Sequence, residues 1–100
     1  MKKYLRVVYN FVIYDIPLEV IAEKRAESLA MIESKLGTRE FNMIFSEEYQ
    51  HGMDEDEVIS NWAKENISWD KIKNHAIRMD ILNKNEPVKD FKETMTVVFH

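Results

Sequence analysis

The stretch that most constrains the fold covers residues 4–14 and reads YLRVVYNFVIY. Apolar side chains recur there at every second position, and many of them are β-branched or aromatic, which is typical of a β-strand. We therefore predict one strand over roughly residues 3–15. Apolar residues on both faces indicate a central strand. Arg6 and Asn10 share the less apolar face, which we expect to be only partly covered.

Composition favours a single folded domain over residues 1–100. The chain is 45% hydrophobic with a net charge of −4, whereas disordered chains combine low hydrophobicity with high net charge. The absence of cysteine excludes disulfides, thiol nucleophiles and Cys-based zinc sites, and it fits a reducing compartment. No apolar run reaches the roughly 18–20 residues of a membrane span. We expect a cytoplasmic protein that does not contact the membrane.

The next segment predicts a helix over residues 17–36. Pro17 suits a first helical turn, and Gly37 suits the residue after the last turn. Arg25 falls within the apolar stripe, so we expect its stem to pack and its charged head to reach water. The stripe consists of Leu18, Ile21, Ala22, Leu29, Ile32 and Leu36.

Residues 38–46 predict a second strand, because Phe41, Met43 and Phe45 alternate. Two parallel strands joined through the first helix would form a right-handed crossover. Further helices are predicted over residues 55–66 and, after a cap at Ser68, over residues 69–74.

Residues 76–82 fit both a strand and a helix. We favour a strand, because a loop over residues 83–90 then leads to a final strand over residues 91–99. The fold class is therefore α+β. We expect a single mixed sheet of about four strands, in the chain order β-α-β-α-α-β-β, with helices packed mainly on one face.

The most unusual feature is the acidic segment, residues 47–57, which holds six acids and no Lys or Arg. The rest of the chain carries 14 basic and 12 acidic residues. Acids over residues 54–57 would stabilise a helix N-terminus, each by about 0.3–1 kcal/mol. That explanation does not cover Glu47 and Glu48. An acidic loop of this kind would attract a basic partner or occupy a site meant for phosphates.

Trp69 follows the cap at Ser68 and is expected to be partly exposed. An exposed Trp beside charged residues is a candidate hot spot for binding, because Trp is enriched among such residues. Basic residues near it are offset by acids, which disfavours direct nucleic-acid binding. The candidate partner-binding residues are Glu47, Glu48, Tyr49, Asp54, Glu55, Asp56, Glu57 and Trp69.

The sequence gives little support for catalysis. It has no glycine-rich nucleotide loop and no His-x-x-x-His metal spacing, so we predict no cofactor and no metal. A small hydrolase-like enzyme would have to use His51 or His75 with nearby carboxylates.

Three functions therefore stand as hypotheses. The first is a non-enzymatic modulator or inhibitor that acts through the acidic segment on a larger protein, itself basic or nucleic-acid-binding. Small inhibitors from phages and mobile elements share this size and charge. The second is a structural homo-oligomer assembled by pairing of edge strands. The third is the small enzyme.

Overall fold

Along the part of the chain that the structure describes, two strands come first, four α-helices follow, and two further strands come last. The structure is a computed structural model, and it describes residues 1–33, 37–83, 85 and 90–100. The α+β class with one four-stranded sheet is confirmed. Short 3₁₀ turns cover Lys73–His75 and Phe91–Thr94. The strands are β1 Lys3–Tyr9, β2 Val12–Pro17, β3 Ile77–Ile81 and β4 Thr96–Phe99. The α-helices are α1 Leu18–Glu33, α2 Thr38–Asp54, α3 Asp56–Asn66 and α4 Trp69–Ile72.

The sheet has the strand order β3-β2-β1-β4, and each neighbouring pair is antiparallel. The prediction of a mixed sheet with a parallel crossover is therefore wrong, and so is the predicted chain order. The first two strands form a hairpin, and the helices follow both of them. β1 does lie at the centre of the sheet, beside β2.

The turn of this hairpin is made by Asn10 and Phe11, which have φ angles of 50° and 64°. Positive φ at both central residues is the requirement of a type I′ turn, which fits the twist of two antiparallel strands. Asn accepts this conformation readily, whereas Phe does so at a cost. The single strand predicted over residues 3–15 is wrong because Phe11, an apolar aromatic residue, reads as part of a strand.

The turn also changes which residues face the core. Leu5 lies opposite Ile16, and Val7 lies opposite Tyr14, so the core face passes from odd-numbered to even-numbered residues at the turn. Leu5, Val7 and Ile16 are fully buried in one cluster with residues of the helices. The helices therefore cover this face of the sheet.

α1 begins at Leu18 and not at the predicted Pro17, because Pro17 ends β2. The predicted end of the helix at Leu36 lies outside the described residues. Its buried line follows Ala22, Ala26 and Ala30, at the i, i+4 spacing of one helix face. Ile32 lies off this line and is 73% exposed, so its predicted place in the core is wrong.

α2 replaces the strand predicted over residues 38–46. Phe41, Phe45 and Tyr49 stack in turn along it, with ring centroids 6.2 and 6.3 Å apart. These residues are four apart, which is the spacing of neighbours on one helix face. The strand prediction is wrong because the alternation covers only three residues, Phe41, Met43 and Phe45. The four-residue spacing continues as far as Tyr49.

The remaining elements agree more closely with the predictions. α3 buries Ile59 and Ala63, and Ile72 of α4 is buried as expected. β3 confirms the strand reading of residues 76–82. The final strand is shorter than predicted, since residues 91–94 form a 3₁₀ turn. The predicted loop over residues 83–90 lies largely outside the described residues.

The hairpin turn can be tested by comparing Phe11→Gly with Phe11→Ala. Both changes remove the half-exposed ring, but only glycine also removes the cost of a positive φ. We expect the Gly variant to be more stable than the Ala variant by about 1 kcal/mol in urea unfolding. An Ala variant equal to or more stable than the Gly variant would show that the turn is not strained at this position.

Candidate functional site

The acidic segment is helical, not a loop. Its first eight residues form the second half of α2, Glu55 stands between the helices, and α3 begins at Asp56. Gly52, which suggested a turn in the sequence, is buried inside α2, where a side chain at this position would meet Ile59 and Arg25. Five of the six acids therefore lie on two consecutive helices, and Glu55 lies at the junction between them.

Glu48 is neutralised by Arg25 of α1. The Arg25 Nη1 atom lies 3.0 Å from Glu48 Oε2 and donates a 2.9 Å hydrogen bond to the Glu48 carbonyl oxygen. Arg25 is 7% exposed, so the expectation that its charged head reaches water is wrong. The sequence showed no base within the acidic segment, but α1 supplies one from 23 residues away.

Asp56 is neutralised in the same way by Lys3 of β1. The Lys3 Nζ atom lies 2.8 Å from Asp56 Oδ1 and donates a 3.0 Å hydrogen bond to the Met53 carbonyl oxygen. These two bonds fasten the end of α2 and the start of α3 to the sheet. Asp56 thus contributes to the packing of the fold.

Four acids of the segment remain exposed and form no ion pair within the part of the chain that the structure describes. Asp54 accepts a 2.9 Å hydrogen bond from the Gln50 side chain, which leaves its charge in place. We call these four residues the acidic surface: Glu47, Asp54, Glu55 and Glu57.

Tyr49 connects α2 with further acids on α1. Its side chain is half-buried against the core cluster and stacks on Phe45. Burial raises the pKa of the Tyr49 hydroxyl, and the negative charges of Glu19 and Glu23 raise it further. These two glutamates are not among the candidate residues predicted from the sequence, because only the packing of α1 on α2 brings them near Tyr49.

Trp69 belongs to a different part of the molecule. Its ring stacks on Tyr9 at 4.5 Å and lies 4.7 Å from the ring of Tyr14, with Phe91 at 6.3 Å. None of these aromatic partners belongs to the acidic segment. A contact between Trp69 and a partner protein stays a prediction.

A second cluster of charged groups lies on the other side of the sheet. The Asp15 carboxylate is fully buried and receives two hydrogen bonds from Arg6, at 2.8 and 3.0 Å. His100 Nε2 lies 2.7 Å from the second oxygen of Asp15, and the His100 ring stacks on Tyr4 at 4.3 Å. Arg6 and Asp15 are directly opposite each other in the hairpin. Recognising the turn in the sequence would have paired them.

The other candidate chemistry finds no geometric support. Within the described ranges, no carboxylate is hydrogen-bonded to His51 or His75. The same residues contain no group of three or more His, Asp or Glu side chains that could hold a metal ion.

No described helix is both long enough and apolar enough to cross a membrane. Comparison of the chain with models of protein families, with curated proteins and with solved structures found no match. A hypothesis about function therefore depends on the charges and contacts of the molecule itself.

The cluster of Arg6, Asp15 and His100, which we call the Asp15 cluster, predicts that the free energy of unfolding depends on pH in the acidic range. Burial of the Asp15 carboxylate favours the neutral form, but the hydrogen bonds from Arg6 and His100 outweigh burial and hold the pKa of Asp15 below its ordinary value. The stabilisation is complete above the unfolded-state pKa of an aspartate, about 3.9. It is lost as the pH falls through the lower folded-state pKa.

We therefore expect Asp15→Asn to lower the free energy of unfolding at pH 7 by about 1–2 kcal/mol. The value is modest because the Arg6 and His100 side chains are partly exposed. The difference from the wild type should shrink in urea titrations as the pH is lowered below about 4. A difference that stays constant from pH 7 to pH 3 would contradict a lowered pKa of Asp15.

Proposed function

We propose that the chain is a non-enzymatic protein-binding modulator that acts through the acidic surface on a basic partner. The supporting observation is that four exposed carboxylates lie on α2, on α3 and at the junction between them, and that none of the four forms an ion pair among the described residues. Such a surface attracts a positively charged protein over about one Debye length, roughly 8 Å at physiological salt. A nucleic-acid-binding protein fits this description, since surfaces that bind phosphates are basic.

The rigidity of the surface supports the same proposal. Glu47 and Asp54 are held on α2, which Arg25 fastens to α1 through Glu48. Glu57 is held on α3, whose start is fastened to β1 through the ion pair of Lys3 with Asp56. Because the backbone of these acids is already ordered in helices, a partner has to order only their side chains, which lowers the entropic cost of association.

The test compares the capture of proteins from a cell lysate by the immobilised wild type and by a charge-reversed variant. The variant changes only the acidic surface, and it leaves Glu48 and Asp56 in place because their ion pairs support the fold. We expect the variant to capture at least about tenfold less partner than the wild type does. Capture by the wild type should fall as the salt concentration is raised. The four changes are Glu47→Lys, Asp54→Lys, Glu55→Lys and Glu57→Lys.

A matched control reverses the same number of exposed acids elsewhere on the molecule, and circular dichroism verifies that both variants fold. Capture of the same proteins in equal amounts by the wild type and both variants would refute the proposal. Equal loss in both variants would attribute binding to net charge and not to the acidic surface. The control changes are Glu27→Lys, Glu33→Lys, Glu65→Lys and Glu93→Lys, at residues that are all exposed.

A further inference from the structure

The two edges of the sheet differ in how they are protected against pairing with another strand. β3 forms one edge and β4 forms the other. Exposed edges offer unpaired backbone groups, and proteins block them with bulges, charges or short strands. β3 carries such features, and β4 lacks all of them except shortness.

β3 is blocked in three ways. Its pairing with β2 is irregular, since Asp80 lies opposite Ile13 and Arg78 lies opposite Tyr14, which leaves Met79 unpaired. This bulge bends the strand and disrupts a flat edge. Arg78 and Asp80 add charges, and the Asp80 side chain accepts a 2.8 Å hydrogen bond from the backbone N–H of Ile81.

β4 has the sequence TVVF, which contains no charge and no proline, and its pairing with β1 is regular. Lys2 and His100 exchange two backbone hydrogen bonds of 3.1 Å, so they form a hydrogen-bonded pair of the antiparallel ladder. Such pairs alternate with non-hydrogen-bonded ones. The N–H and C=O groups of Val97 and Phe99 therefore point away from β1, towards the open edge.

We propose that β4 pairs with β4 of a second copy of this chain, in an antiparallel dimer whose two-fold axis passes at Val98. In this register the outward groups of Val97 meet those of Phe99 of the second copy, and the converse pair forms by symmetry. The two four-stranded sheets then become one continuous sheet.

The side chains suit this register. Residues directly opposite each other share a face, so Phe99, which is 52% exposed, lies beside Val97 of the second copy. Val98 lies opposite its own counterpart, and Thr96 lies opposite His100. No two acids and no two strong bases oppose each other, and apolar cross-strand pairs contribute about 0.2–1 kcal/mol each.

The first measurement is the mass of the wild type by light scattering and sedimentation, from about 5 μM to about 1 mM, because a dimer dissociates on dilution. We expect the measured mass to rise with concentration, towards twice the monomer mass of 11.9 kDa. Amide hydrogen exchange should show concentration-dependent protection of Val97 and Phe99. A monomer at every concentration, or unprotected amides at both residues in a dimer, would overturn the proposal.

The two-fold axis gives a sharper test at Val98. Val98→Lys and Val98→Glu each place like charges directly opposite each other, so each should raise the dimer Kd at least about tenfold. Mixing the two variants places Lys opposite Glu and should restore the dimer. Failure of the mixture to associate, with both variants folded by circular dichroism, would reject this register.

A second kind of variant tests the proposal in case Val98→Lys and Val98→Glu do not fold. Val97→Pro removes an outward N–H at a position where edge strands tolerate proline, and it also replaces a side chain that packs against the core, so circular dichroism must verify its fold. We expect a folded monomer, and a dimer that persists would overturn the proposal. Ile81→Lys is the matched control on the β3 edge, where the residue is 59% exposed, and it should leave the dimer unchanged. Dissociation by Ile81→Lys alone would assign the interface to β3.

Discussion

The hydrogen bond and the ion pair of Arg25 join α1 to α2 and so determine which side of α2 faces solvent. The guanidinium group is almost completely buried and binds both the side chain and the backbone carbonyl of Glu48. Removal of one partner from a fully buried ion pair costs about 3–5 kcal/mol, and the cost here is lower because the Glu48 side chain is 27% exposed. Glu48 faces Arg25, whereas Glu47, about 100° further round α2, is exposed. The acidic surface therefore depends on a pair that is itself neutral.

The sequence predicted elements well where one pattern extended over the whole element. The stripe of α1 and the buried side of α3 are each long enough to indicate a helix. The alternation in β3 is too short to decide, because residues 76–82 also fit a helix, and the loop predicted after them favours the strand. The turn at Asn10 and Phe11 was missed because a bulky aromatic residue occupies a conformation that usually requires glycine. The prediction for α2 is wrong because three alternating residues indicate a strand, whereas the longer i, i+4 spacing that continues to Tyr49 indicates a helix.

The candidate site was only half visible in the sequence. The acids themselves could be located by counting charges, but their partners could not. Arg25 and Lys3 lie 23 and 53 residues from the acids they bind, and only the packing of α1, α2 and β1 brings them together. This tertiary pairing divides the six acids into two that support the fold and four that face solvent. The division narrows the proposed partner site to the acidic surface.

The proposed dimer would use the outer edge of β4, whereas the proposed partner site lies on the second half of α2 and the start of α3. The two are neighbours at one point, because Lys3 binds Asp56 and also lies 5.4 Å from the centroid of the Phe99 ring. α2 packs chiefly on α1 and α3, whereas β4 packs on β1 and α3. A dimer joined through β4 would therefore leave the outer side of α2 free and would carry two copies of the acidic surface related by a two-fold axis. When both copies reach the same partner assembly, the second contact forms at an effective concentration that can approach the millimolar range. Weak electrostatic contacts, which salt screens readily, would then combine into firm binding without any further contact in either copy.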